Sequence, residues 1–444
     1  MIDLGQQRSK LCAGVSRRSF LKIGSLAAGG LSLPTLLRTR AQAGDAKNRP
    51  PRAVIQFYLE GGLTHHDSYD PKPAAPREIR GPFSAIDTAV PGVQFSDQLP
   101  RQAQIANKLT ALRAVSHGTA DHATGQHWML TGYPGGTNRA AGGNDQPATG
   151  AVVSALLGSD QRELPSYMTL SNRGGGYAYR HAAYLGVAHN PFDVFADPNR
   201  PQFRVPNLAI ENGLEGVRLD DRLALVHKLD SLRRDIDQRG EMAGLDAFTR
   251  QAFHLITGAR AQSAFQIDAE STAMREQYGR TRIGQCTLLA RRLVEAGVPF
   301  ITVHDVGWDN HDRIEQAMRG KLPPLDQALA ALVTDLDERG LPDDVLILLI
   351  GEFGRTPRIN ANAGRDHWGN VFSVLLAGGG LRHCGAYGAS NAQGASPVSG
   401  TVSPGDIFAT MYHFLGIDPH STVHDLSGRP VQLLPEGTVL SALV

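Results

Sequence analysis

The chain has 444 residues, 41% of them hydrophobic and 20% charged, enough for one large α/β domain or two average ones; this composition excludes a disordered or fibrous protein. Its formal charge of +1 hides an asymmetry: seven of the 44 basic and one of the 43 acidic residues lie in the first 43 positions, leaving 37 against 42, about −5, for the rest. A mildly acidic body has no general attraction to nucleic acid or to an anionic membrane, so nucleic acid is excluded as a partner.

The amino terminus reads "SRRSFLK" (16–22), then a 15-residue apolar run (23–37), then "AQA" (41–43). Arg17 and Arg18, the apolar run and the small-residue site predict a twin-arginine signal peptide over residues 1–43, recognised by the twin-arginine export machinery and cleaved after Ala43. The run is short for a permanent span. No later segment is long and apolar enough, so no permanent membrane span is expected after cleavage. The predicted location is periplasmic or extracellular. Residues 44–52, "GDAKNRPPR", read as a linker.

Strand-like runs follow at 53–59, 109–115, 166–170, 299–304, 345–350 and 372–378. They are continuously apolar rather than alternating, as strands covered on both faces are. Helical patterns lie between them. Residues 283–297 carry an apolar stripe and stop at Gly297; residues 322–340 stop at Gly340. Residues 403–416 open with Ser403 as cap, Pro404 in the first turn and Asp406 near the positive end of the dipole. The alternation predicts a doubly wound α/β fold, a mostly parallel sheet with helices on both faces, over residues 53–444 as a single domain. Two stretches interrupt it: a Gly/Asn-rich loop at 132–150 and a helical insertion at 218–275. Of three cysteines, Cys12 leaves with the signal, and Cys286 and Cys384 lack metal-site spacing.

In an open parallel sheet, ligands bind outside the carboxyl ends of the strands. Four of the runs open there onto "EGGLTHHDSYD" (60–70), "SHGTADHATGQHW" (116–128), "HDVGWDNHD" (304–312) and "GEFGRTPRINANAGRDHW" (351–368). Eight of the 16 histidines fall in these loops beside several carboxylates. Imidazole and carboxylate are the donors of transition-metal sites, so a divalent ion (Zn, Mn, Ca or Mg) is the expected cofactor. Asp309 and His311 share one turn and are expected as ligands. Either Asp366 or His367 ligates, or Asp366 orients His367. His65 and Asp67 are further ligands, of which one suffices. Glu352 is a ligand or a general base, or else pairs with Arg355. Arg355 has the rigid fork that grips phosphate, sulfate or carboxylate, giving it a catalytic and substrate-binding expectation.

The stretches "LEGGLTHHDSYDPKPAAPREIRGPF", "QHWMLTGYPGG", "QCTLLARRLVEAGVPFITVHDVGWDNH" and "GEFGRTPRINANAGRDHWGNVFSVLLAGGG" resemble a bacterial exported family of unknown function whose members are often labelled sulfatase-like. That family is similar to the superfamily of alkaline phosphatases, sulfatases and cofactor-independent phosphoglycerate mutases. The resemblance implies an alkaline phosphatase-like core with metal ligands on loops after the strands. It places the superfamily's first-strand acid on Glu60 or Asp67, its middle metal loop on Asp309 and His311, and its late Asp-His element near "GEFGR" and "RDHW". Sulfatases carry a modified cysteine or serine in C/S-x-P-x-R ahead of Leu-Thr-Gly. Here "MLTG" (129–132) is present, His122 stands ten positions before Gly132, and no cysteine is followed by x-P-x-R. A formylglycine nucleophile is therefore not expected. Thr124 is a replacement nucleophile by analogy with related phosphodiesterases, and His122 and His127 are expected to bind the metal or the substrate anion. The resulting expectation is a metal-dependent hydrolase of a phosphate or sulfate ester, either small or carried on a polysaccharide. The alternative is a catalytically degenerate binding or scaffold protein on the same fold.

Overall fold

The computed structural model describes residues 52–135, 146–158, 163–171, 176–201, 203–205, 255, 258–425 and 427–444. The expected signal peptide (1–43), all but the last residue of the linker, the middle of the 132–150 loop and most of the 218–275 insertion lie outside the described residues.

Eight strands form the central sheet: β1 (Ala53–Glu60), β2 (Leu109–Val115), β3 (Tyr167–Ser171), β4 (Phe192–Val194), β5 (Phe300–Val306), β6 (Val345–Ile350), β7 (Phe372–Gly378) and β8 (Gly385–Tyr387). Their spatial order is β8-β2-β7-β6-β1-β5-β3-β4. β1 lies at the centre, in parallel register with β5 (Tyr58 beside His304) and with β6 (Tyr58 beside Ile350). β7 alone runs against its neighbours β2 and β6. The reason is where the chain travels between β6 and β7. It leaves β6 at the carboxyl rim, builds residues 351–371 along that rim and re-enters the sheet from the same edge, so the next strand must point backwards. A parallel return needs a crossover. Strands β4 and β8, three residues each, are too short to leave a periodic signal in the sequence.

The two faces of β1 enter different cores. Ile55, Phe57 and Leu59 pack with Leu288 and Leu293 of one helix and Leu325 and Leu329 of another. Val54 and Tyr58 pack with Met129, Val152, Phe408 and Met411 on the opposite side. The result is a three-layer α/β fold. The longest helices among the described residues are α1 (His122–Thr131), α2 (Thr149–Leu157), α3 (Arg282–Glu295), α4 (Ile314–Glu338) and α5 (Pro404–Phe414). α5 has the expected Ser403 cap, which with Asp406 makes a capping box, Ser403 Oγ accepting from Asp406 N and Asp406 Oδ2 from Ser403 N. α4 begins eight positions before the expected 322 and runs through Pro323 and Pro324. Its apolar stripe extends upstream through buried Ile314, Met318 and Leu322, spaced at four residues, and that packing overrides the proline signal.

Residues 122–131, expected within a loop, are the helix α1. Their composition, with Gly125, two threonines and two histidines, has weak helical propensity. Two tertiary features compensate. Asp121 caps the helix, its Oδ1 accepting from Thr124 N at 3.0 Å. Gly125 lets the helix lie against the backbone of Glu352, where a Cβ would stand 2.9 Å from the carbonyl oxygen. Cys286 is buried, Cys384 is exposed, and neither forms a disulfide.

Candidate metal centre

The carboxyl rim brings four segments together. The loop after β5 carries Asp309 and His311, the first turn of α1 carries His122, and the 351–371 excursion carries Asp366 and His367. The loop after β1 passes beneath them. Gly61 makes this possible: its φ is +118°, and a Cβ there would lie 2.2 Å from Asp309 N. The chain is strained at the same place. Arg313 and Ala363 hold positive φ (45° and 56°) where the two metal-side loops zip together through a bridge between Asp312 and Ala363.

Three imidazoles converge on Asp309. His311 Nε2 and His367 Nε2 lie 3.0 and 3.1 Å from Asp309 Oδ1, and 3.0 Å from each other. His122 Nε2 lies 3.1 Å from the other oxygen, Oδ2. Ligand atoms of His122, Asp309 and His367 all fall within 4.8 Å of one another. Each ring is anchored through its other nitrogen. His311 Nδ1 donates to Asp366 Oδ1 at 2.7 Å, His367 Nδ1 to the Ala120 carbonyl at 2.8 Å, and His122 Nδ1 to Glu352 Oε1 at 2.8 Å. With each Nδ1 engaged in this way, Nε2 of His311 and Nε2 of His367 are turned toward each other and toward Asp309 Oδ1. Three potential donor atoms in mutual contact form a group that could hold a metal ion. Three imidazoles and a carboxylate suit Zn or Mn better than Ca or Mg, which prefer all-oxygen cages.

The charges follow these contacts. Partial burial pushes Asp309 upward, but hydrogen bonds from His122, His367 and Arg355 outweigh it and hold the carboxyl far below its usual range. Burial disfavours the charged form of His122, yet bonds to Asp309 and Glu352 win and raise it to about 9. The hydrogen bond from His311 holds Asp366 low.

Several expectations are corrected. Asp366 orients His311, not His367. Arg355 is enclosed: its guanidinium donates to the carbonyls of Gly61, Gly62 and Arg365 and to Asp309 Oδ1 (2.7 Å). It fixes Asp309 and has no free fork turned to a substrate anion. His65 and Asp67 do not join the group. Both are fully buried; Asp67 pairs with Arg365 at 2.9 Å, and His65 Nε2 donates to the Gly394 carbonyl at 2.8 Å. Glu60 pairs with His304 at 2.8 Å instead. The Thr124 hydroxyl donates to its own helix cap, Asp121, at 3.1 Å. His127, expected to bind substrate, is buried on another side of α1, bonded to the Tyr133 carbonyl and edge-on to Tyr179. Five positions along a helix turn a side chain well away from the first. Glu352 lies buried beneath His122 and makes no ion pair with Arg355 of the kind weighed above.

Two supporting residues had no signal strong enough to single them out. Asn360 donates to Asp366 Oδ1 and to the His311 carbonyl, at 3.1 and 3.0 Å. His117 Nε2 holds the Glu352 carbonyl at 2.6 Å. The "NANAG" run around Asn360 reads only as a turn.

Comparison with curated proteins finds no match. Among solved structures, the chain is similar to the PsFucS1 sulfatase from Pseudoalteromonas sp., at 12% identity over 85% of this chain and 70% of that one, with a TM-score of 0.38. It is similar to the lipoteichoic acid synthase LtaP from Listeria monocytogenes at 11% identity, covering 88% and 76%, with a TM-score of 0.36. A protein in the alkaline phosphatase superfamily from Vibrio parahaemolyticus matches at 9% identity over 83% and 67%, with a TM-score of 0.35. A family match spans residues 51–444, and the chain belongs to the family described as protein of unknown function, DUF1501.

Proposed function

We propose that the protein is a metal-dependent hydrolase of an anionic ester, phosphate or sulfate, exported by the twin-arginine route to the periplasm or beyond. The observation that carries this reading is the contact of Asp309 Oδ1, His311 Nε2 and His367 Nε2 within 3.0–3.1 Å of one another, with every ring held by its Nδ1. When bound, a divalent ion at these atoms supplies Lewis acidity toward an ester oxygen and lowers the pKa of a water. Asp309, His311 and His367 hold it, with His122 on the far oxygen of Asp309. Asp366 and Asn360 keep His311 turned inward, and Arg355 keeps Asp309 from swinging away. The side chains of Asp309, His311 and Asp366 are 39, 45 and 52% exposed, so the group is open to an ester on a small molecule or on a polysaccharide. Among the described residues no helix is long and apolar enough to cross a membrane. The export part of the reading rests on Arg17, Arg18 and the run that follows them.

The test is metal analysis of the purified mature protein, with hydrolysis of aryl phosphate and aryl sulfate followed with and without chelator. Stoichiometric zinc or manganese and chelator-sensitive turnover are expected. A folded protein that takes up no metal and hydrolyses neither ester overturns the reading and leaves the binding or scaffold role.

A further inference from the structure

We infer that Glu352 is a positioning residue that acts through His122, and is neither a metal ligand nor a general base. This rests on the metal reading above and assigns a part of that site. Glu352 is fully buried, and its carboxylate is saturated. Oε1 accepts from Gly61 N at 2.8 Å, from His122 Nδ1 at 2.8 Å and from Gln126 Nε2 at 3.4 Å. Oε2 accepts from Gly61 N at 2.9 Å and from Tyr58 OH at 3.4 Å. A carboxylate has about four lone-pair sites, and four donors, with the Gly61 N–H shared between both oxygens, turn them to protein partners rather than to an ion or a substrate proton. The partners also show what the carboxylate organises. His122 and Gln126 stand four apart on α1, so one face of the helix docks on this single anion. Gly61 ties the same anion to the end of β1. His122 is the one partner that reaches the cluster, and it does so from its opposite nitrogen. Glu352 therefore fixes which nitrogen of His122 keeps its proton and where Nε2 points, from behind the ring, as carboxylates do for metal-bound histidines.

The isosteric variant Glu352→Gln tests this, with zinc and manganese affinity measured by chelator competition, histidine ring protons and nitrogens followed by NMR, and thermal melting as a control on folding. The wild type is expected to show a downfield, slowly exchanging Nδ1 proton on His122. Glu352→Gln is expected to lose that signal and to weaken metal binding about 10–100-fold, with the signals of His311 and His367 kept and the melt still cooperative. Unchanged affinity with loss of turnover alone would make Glu352 a base and overturn the assignment. Complete loss of metal with an undisturbed His122 proton would make it a ligand and do the same. General broadening of all three histidines would reduce it to a structural acid, which also overturns the assignment. If the wild type binds no divalent ion, the metal reading fails separately, and the His122 proton in the metal-free protein still decides whether Glu352 orients that ring.

Discussion

His65, His66 and Asp67 follow β1, while His311 and Asp366 stand on the loops after β5 and β6; all sit at one rim of one sheet, and in sequence His65 and Asp67 read as metal ligands just as His311 and Asp366 do. The first set is buried without exception, and Asp67 faces Arg365 with both side chains at 0% exposure. The second is about half exposed. One histidine of the buried set and the His122 that joins the exposed group also shift in opposite directions. Burial lowers His65 to about 4 and keeps it neutral, whereas two carboxylates raise His122 to about 9. The buried set faces inward to carbonyls: His66 and His65 bond the consecutive carbonyls of Gln393 and Gly394, and Trp368 bonds the next, Ala395. The exposed set faces its own members. The same residue types thus lock a loop in one place and gather donor atoms in the other, and exposure decides between the roles.

The widest break in this contrast comes from Asp309→Ala. It removes the carboxylate on which all three imidazoles converge, so metal content is expected to fall to background, and the melting temperature is expected to drop as well because the buried Arg355 loses its carboxylate partner. A variant that keeps stoichiometric metal would dissolve the contrast. Next, Asp67→Ala strands the buried Arg365 charge and is expected to destabilise the fold by about 3–5 kcal/mol, while the folded fraction still binds metal; denaturant titration and metal analysis of one preparation read both. Loss of metal at unchanged stability would move Asp67 into the exposed group.

Acid distinguishes the groups further. The folded-state pKa of His65, about 4, lies below its ordinary 6.5, so the unfolded chain takes up the proton first. Stability from this group is complete above about pH 6.5 and is lost as pH falls toward 4, by roughly 3 kcal/mol at 1.36 kcal/mol per unit. His117, also lowered to about 4 by burial, adds to the same limb. His65→Gln is expected to make the acid limb of stability against pH shallower, and an unchanged limb would show that His65 does not titrate there. The smallest effect is expected from Asn360→Ala, which loosens Asp366 and the His311 backbone: a fall in metal affinity of about 10-fold and a stability change under about 1 kcal/mol. A change in stability without a change in affinity would limit Asn360 to turn formation.

Much of the fold was legible because buried strands are continuously apolar and helices announce their caps. The runs at 53–59, 299–304 and 345–350 became the three central strands, and Ser403 with Asp406 became a capping box. The reversal of β7 was not legible, since direction depends on where the chain travels between strands and not on the residues in them. At the site, Asp309, His311, Asp366 and His367 were readable as donors near strand ends. Their partners were not: nothing local distinguishes an Asp366 that orients His311 from one that orients His367, or an Arg355 open to substrate from one closed around carbonyls.

The amino-acid sequence alone determined which segments are too apolar to face water, the cap that opens α5, and that imidazoles and carboxylates collect at the carboxyl ends of strands, because these are consequences of local composition and period. Only the tertiary structure decided which of those groups meet, which are sealed from solvent and which nitrogen of each ring is left free. Contacts between residues such as His122 and Glu352, 230 positions apart, are set by how the layers pack, and no local pattern encodes them.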